Sequence, residues 1–250
     1  MPEDRPPQGS ATLRLDQHIL ELPAPPVGVL LALDTSSASV GYALHDGTTL
    51  FAETMWQGQR QGTAMLLDAA MHSLASVGKT KGDLVAIAVA TGPGSFSGLR
   101  VGLGIAKGLA LGLGLPIVGV PTLDATAAPF VSVLPQGSVV CATVAAGRGR
   151  YAYALYAGDD LAPTEGPTHA TAPEIARVLA AYPMSLVCGE MDTVAEAAFA
   201  AVPGVIVPTV GARTRRAGAL ADLAWRRILW GNTNDLVSLA PVYLHTTAVA

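Results

Sequence analysis

The sequence predicts an α/β protein of two lobes, and three observations carry that expectation. Candidate elements run as three strands, helix, strand, helix, and a shorter version of a similar alternation follows. Leu84–Ala90 is apolar throughout rather than at every second residue, as expected of a strand covered on both faces of a parallel sheet. The 250 residues are 50% hydrophobic and only 14% charged, which supplies real cores and argues against wholesale disorder. A single α/β domain with the same element order is the alternative.

The elements follow in order. Residues 1–26 are rich in proline, which interrupts helices and sheet ladders alike. They read as a flexible extension with a short ordered piece at Leu13–Leu22. Val27–Asp34 is an apolar strand, and Ala38–His45 and Thr49–Thr54 form a hairpin across His45-Asp46-Gly47. Met65, Leu66, Ala69, Met71 and Leu74 recur at helical spacing and predict a helix over Gly62–Val77. After Leu84–Ala90 comes a tight turn, Thr91 to Gly98, in which Ser95 or Ser97 caps a helix reaching Leu113. Ile117–Val120 is a strand, Pro121–Leu123 leads out of it, and a small-residue segment near Ala125–Ala128 opens the second half. There, Ser138–Val144 and Tyr151–Tyr156 pair across Gly147-Arg148-Gly149. Helices are expected at Pro173–Ala181 and Thr193–Ala201, with short strands at Leu186–Cys188 and Val205–Val207. A last helix, Ala217–Trp230, stops at Gly231-Asn232. The resulting division is 27–125 for the first lobe and 126–215 for a smaller second lobe. A C-terminal helix and tail, 216–250, pack back on the first.

Composition narrows the function classes. The formal net charge is −4, so nothing in the composition marks the basic patch of a protein that grips nucleic acid unaided. Cys141 and Cys188 sit in apolar runs and read as buried thiols; with scattered histidines and no CxxC pair, no metal centre is expected. The chain starts without a basic, then apolar, segment. Its most apolar region, around Leu109–Leu123, is broken by Gly112, Gly114, Pro116 and Pro121. The expectation is a cytoplasmic protein with no membrane partner.

Two features carry candidate chemistry. Asp34-Thr35-Ser36 ends the first buried strand, where ligands gather in α/β proteins. Asp34 is suited either to hold magnesium or to cap the turn. Gly92, Gly94 and Ser95 open a strand-to-helix turn that is either a phosphate cradle or purely structural; it lacks the Gly-Lys-Ser/Thr of a Walker loop. The helix that follows contains two series of small residues four apart, Gly98–Gly102–Ala106 and Gly104–Gly108–Gly112. Each interior glycine costs about 1 kcal/mol relative to alanine, so outside contacts must justify them. The seam packs either internally, against the Gly62–Val77 helix, or across a subunit interface.

The segments Leu33-Asp34-Thr35-Ser36, Gly92-Pro93-Gly94-Ser95-Phe96-Ser97-Gly98-Leu99-Arg100, Gly102, Gly104, Ala106–Ala110, Pro116, Gly119-Val120 and Thr122-Leu123 closely resemble the TsaB (YeaZ) family. Weaker similarity covers Ala221–Arg227 and Pro241–Leu244. The resemblance implies a two-lobed actin/Hsp70-like (ASKHA) fold. It implies a non-catalytic subunit in threonylcarbamoylation of adenosine 37, in tRNAs reading codons that begin with A. The implied partners are a catalytic TsaD-like subunit, a TsaE-like ATPase, a second copy when alone, and tRNA only through the complex. TsaC or its relative would supply threonylcarbamoyl-adenylate. No catalytic residue, metal or cofactor is implied for this chain. The implied partner-interface residues are Met65, Leu66, Ala69, Ser97, Gly98, Arg100, Val101, Gly102 and Ile105. Asp34, Thr35, Ser36, Gly92, Gly94 and Ser95 would be a vestigial nucleotide site. Two departures from the family stand at Gly62, where many relatives have histidine, and at Ala145-Ala146-Gly147, where they read Asp-Ala-Arg. An ATP-dependent phosphotransferase or ATPase of the same fold is the alternative reading; peptide cleavage is a third, without a legible nucleophile and base.

Overall fold

In the computed structural model, which describes residues 26–58, 60–158 and 161–244, two five-stranded sheets repeat one topology. The expected leader, including Leu13–Leu22, lies outside the described residues apart from Pro26. The first sheet contains β1 (Val29–Asp34), β2 (Ser39–His45), β3 (Leu50–Gln57), β4 (Leu84–Gly92) and β5 (Ile117–Pro121), in the order β3-β2-β1-β4-β5. The second contains β6 (Val139–Gly147), β7 (Arg150–Tyr156), β8 (Pro163–Thr171), β9 (Ser185–Gly189) and β10 (Val205–Ile206), in the order β10-β9-β6-β7-β8. In each, the first three strands form an antiparallel meander, and the last two join it parallel to the first strand.

The parallel strands β1, β4 and β9 are covered on both faces, and that explains their unbroken apolar runs. In β1, Leu31 and Leu33 point to one core and Leu30 and Ala32 to the other. The first core lies under α1 (Arg60–Ser76) and α2 (Phe96–Leu113), which contribute Leu66, Leu74, Leu103 and Ala106. The opposite face carries Ala32, Ala43, Ala86, Ala88 and Ala90, so α7 (Ala217–Leu229) approaches closely and covers it with Leu220, Ala224 and Trp225. The second sheet is covered on one side by α4 (Ala172–Leu179) and α5 (Thr193–Ala200), through Ile175, Leu179 and Phe199. On the other side Leu123, Ala127 and Val131 pack against Val140, Ala142 and Cys188. Both thiols are free and buried, and burial pushes their pKa values up, so neither is a ready thiolate.

Two helices and a strand depart from expectation. Thr122–Val131, read as a lead-out and a small-residue segment, is a helix, α3, with Pro129 inside it. A proline inside a helix forfeits a backbone hydrogen bond, and burial of Leu123, Ala127 and Val131 outweighs that loss here. β8 was not expected, because Pro163, Gly166 and Pro167 interrupt it; its place at the sheet edge tolerates missing donors. The one-turn α6 (Val210–Arg213) also escaped notice.

α3 carries a carboxylate into the protein. Asp124 accepts a hydrogen bond from Tyr156 Oη at 2.7 Å. Burial raises its pKa above the ordinary carboxylate value, and the Tyr156 hydrogen bond and the Arg227 charge offset this only in part. The folded state therefore holds this proton more tightly than the unfolded chain. Stability from the group is present at low pH and is lost as pH rises from the ordinary carboxylate value through the raised one. Asp124→Asn keeps an acceptor for Tyr156 without the buried charge. It is expected to raise Tm at pH 7, with the advantage shrinking as pH falls toward 4; a pH-independent difference in calorimetry would refute the assignment.

Candidate protein-partner interface

The face built by α1 and α2 is the best-formed candidate site. α2 begins at Ser95, whose Oγ accepts the Gly98 N–H at 3.2 Å, and ends at Gly114 in a left-handed conformation. Its first turns are seated on the loop that follows β1. Ser95 N donates to Ser36 O at 2.6 Å, and Thr35 Oγ1 donates to Gly98 O at 2.7 Å. A Cβ on Gly94 would strike Ser36 O, one on Gly98 would strike Thr35 O, and one on Gly102 would strike Thr35 Oγ1. The glycine-serine turn is thus a close backbone joint within the first lobe.

This splits the two glycine series. Gly98 and Gly102 pack internally, against the Thr35–Ser36 loop and not against α1. A Cβ at Gly104, Gly108 or Gly112 would meet nothing within 4 Å among the described residues. The expected interface set divides accordingly. Gly102 and Leu66 are fully buried and belong to the fold, a correction to their expected place at the interface. Gly98, Ala69 and Ile105 are half-buried. Ser97, Arg100, Met65 (62% exposed) and Val101 (46%) are open to solvent. Sequence reasoning missed Phe96, Leu111 and Leu113, which are exposed on the same helix. Between α1, α2 and the β1–β2 loop lies a cavity of about 820 Å³ lined by Ala38, Ala64, Leu67, Ser97, Val101 and Ile105, among others. By length and composition α2 would be long and apolar enough to cross a membrane, and only 28% of it is buried. The buried side, Leu99, Gly102, Leu103, Ala106 and Ala110, is committed to the first lobe.

The expected nucleotide residues do converge, but on one another. Asp34 is fully buried; its Oδ1 accepts Ser36 N at 2.9 Å and Ser36 Oγ at 2.6 Å, and its Oδ2 accepts Arg215 Nε at 2.6 Å. Both oxygens are engaged, so the turn-capping reading of Asp34 is the one observed. Gly92 N donates to Thr122 Oγ1 at 3.0 Å, and the backbone of Val242 lies against Gly92. Arg215 was missed by sequence reasoning. Its Nη2 donates to Ser37 Oγ at 3.0 Å, and its Nη1 faces Glu190 Oε1 of the second lobe at 3.7 Å. Burial works against the Arg215 charge, and Asp34 and Glu190 outweigh it, holding the guanidinium's pKa above its ordinary value. Among the described residues no group of three or more metal-ligating side chains exists. A guanidinium stands where a cation would meet Asp34, and these residues do not fit a magnesium–nucleotide site.

Comparison with known proteins agrees with this fold. A structure from Pseudomonas aeruginosa, described as similar to peptidase YeaZ, matches with a TM-score of 0.71 at 22% identity, covering 87% of this chain and all of that one. The ethanolamine utilization protein EutJ of Carboxydothermus hydrogenoformans matches at a TM-score of 0.50 and 15% identity, over 80% of this chain and 91% of that one. The protein is therefore a two-lobed α/β protein of the actin/Hsp70-like class. The family model described as TsaD, tRNA N6-adenosine threonylcarbamoyltransferase, matches residues 58–214, more than half of the chain. The tRNA threonylcarbamoyladenosine biosynthesis protein TsaB of Escherichia coli is 36% identical over 94 residues, 38% of this chain and 40% of that protein. The chain belongs to the family this model defines and, within it, to TsaB (YeaZ). Its match spans less than half the length of the curated relatives.

Proposed function

We propose that this chain serves tRNA threonylcarbamoyladenosine biosynthesis as a non-catalytic subunit, and that it docks a TsaD-like catalytic subunit on its α1/α2 face. The observation that carries the reading is that face: Gly104, Gly108 and Gly112 lie open on α2 with exposed Val101 and Leu111, and Met65 is exposed on α1. Glycines this costly to a helix, with nothing against them among the described residues, suit the close approach of a neighbouring helix. Contiguous exposed apolar surface of this kind marks interaction sites. The names of the Escherichia coli and Bacillus subtilis relatives support the pathway. The engagement of Asp34 by Arg215 supports a role without bound nucleotide.

In this reading the subunit acts by mass action. It binds the active arrangement of the TsaD-like protein and so raises its population, while a TsaE-like ATPase completes the complex. Alone, the chain pairs with a second copy through the same face. tRNA is handled by the complex, in keeping with this chain's net charge of −4. The test is reconstitution with the TsaD-like and TsaE-like proteins of the same organism. Threonylcarbamoylation of tRNA is expected to depend on this chain, and modification at an equal rate without it would end the proposal.

A further inference from the structure

α2 has a second flank, opposite α1, and the segment that follows α7 runs along it. Asn234 N donates to Ile117 O at 2.9 Å, and Asn234 Oδ1 accepts from Gly119 N at 2.8 Å, fixing the segment to the β5 edge. Leu236 and Leu239 then pack on the first core. Lys107 Nζ, in the second half of α2, donates to Val237 O at 3.0 Å. Val242 N donates to Thr91 O at 2.7 Å, and its carbonyl lies where a Cβ on Gly92 would sit; Gly92, at φ +108°, needs no Cβ. The segment arrives at the N-terminal end of α2, where the Tyr243 ring lies 5.1 Å from that of Phe96.

There it meets a cation. The Arg100 guanidinium stacks on Phe96, 3.8 Å from the ring centre, and Arg100 Nε donates to Tyr243 Oη at 3.3 Å. Arg100 is exposed and forms no ion pair among the described residues. A guanidinium held flat by an aromatic face and one hydrogen bond keeps its other N–H groups in a fixed fork, the arrangement that receives a carboxylate in bidentate fashion. Val242, next to Tyr243, and Val237, whose carbonyl meets Lys107, are exposed along the same segment.

We propose that residues 235–244 form the third wall of the partner face, after α1 and α2, and that Tyr243 positions Arg100 for a carboxylate on the TsaD-like subunit. The inference rests on the docking reading above. It specifies the partner's chemistry: an apolar helix lies along Val101, Gly104, Gly108 and Leu111, with an aspartate or glutamate at the Arg100 end. Tyr243 is a positioning residue.

The experiment measures association of the full chain with the TsaD-like subunit by sedimentation velocity, at low and high salt. Wild type is compared with Tyr243→Ala, Tyr243→Phe, Arg100→Gln and Gly108→Leu. Loss of one hydrogen bond and its stacking partner is expected to weaken binding about three- to tenfold in Tyr243→Ala. Tyr243→Phe, which keeps the ring and the fold, should fall between. Arg100→Gln should flatten the salt dependence and make Tyr243→Phe silent when the two are combined. Wild-type binding by Tyr243→Ala, with Gly108→Leu impaired, overturns the third wall and leaves the docking reading intact. Wild-type binding by both overturns the docking reading itself. An unchanged salt dependence in Arg100→Gln overturns the carboxylate.

Discussion

Replacing Gly108 with leucine should leave the isolated chain at least as stable as wild type and still cost it its partner. Gly104 and Gly108 stand in mid-helix and Gly112 in the last turn, and a Cβ added at any of them would meet nothing within 4 Å among the described residues. An exposed interior glycine is about 1 kcal/mol worse than alanine, and leucine is nearly as good a helix former. For a chain of this size ~1 kcal/mol moves Tm by about 2–4 °C. Gly108→Ala should therefore raise Tm by that amount, with Gly104→Ala doing the same. At the interface the sign reverses. A side chain inserted where two helices meet without room costs roughly 1–3 kcal/mol, which is about a five- to 150-fold loss of affinity. Gly102→Ala is the control: its Cβ meets Thr35 Oγ1, so it should lower Tm of the isolated chain. Differential scanning calorimetry and sedimentation with the partner read both halves. If the Gly108 variants lose stability, the face is covered within the chain itself; if they bind normally, the seam has no partner.

That contrast also shows how far sequence reaches. Both glycine series were visible as spacing, because a period of four places residues on one helical face. Spacing alone does not say which face meets the protein's own loop. That depends on Thr35, 67 positions upstream of Gly102, arriving beneath the helix through the β1–β4 pairing. The buried strands were legible for a different reason: burial on both faces leaves no polar residue in β1 or β4 until their C-terminal ends, at Asp34 and Thr91. β8 and α3 were not legible, because prolines that locally read as breaks are carried by an edge position in one case and by burial in the other. The turn-capping role of Asp34 was one of two readings open from local sequence. Its cation was not visible, since Arg215 lies 181 residues away and looks like one of a run of surface charges, Arg213, Arg215 and Arg216.

Removing Arg215 should be the most destabilising single change in the interlobe region. The segment that carries it is the second crossing between the lobes, after α3, and its side chain is 2% exposed. It satisfies Asp34 and Ser37 in the first lobe and faces Glu190 in the second. Breaking a buried ion pair from one side leaves an uncompensated charge and costs roughly 3–5 kcal/mol. Arg215→Met is thus expected to lower Tm by on the order of 10 °C, as is Asp34→Leu. The pair itself need not be stabilising, because desolvation of both ions opposes their attraction. The double variant Asp34→Leu/Arg215→Met should therefore recover much of the loss, and the coupling energy from the cycle should be large and favourable. Glu190→Gln should be milder. Its Oε1 stands 3.7 Å from Arg215 Nη1 without a hydrogen bond, and only its Oε2 is bonded, to Ala145 N at 3.1 Å. Thermal melts of the four variants decide the matter: additive losses would mean that the guanidinium and the carboxylate act independently, and that Asp34 is held by the Ser36 turn alone.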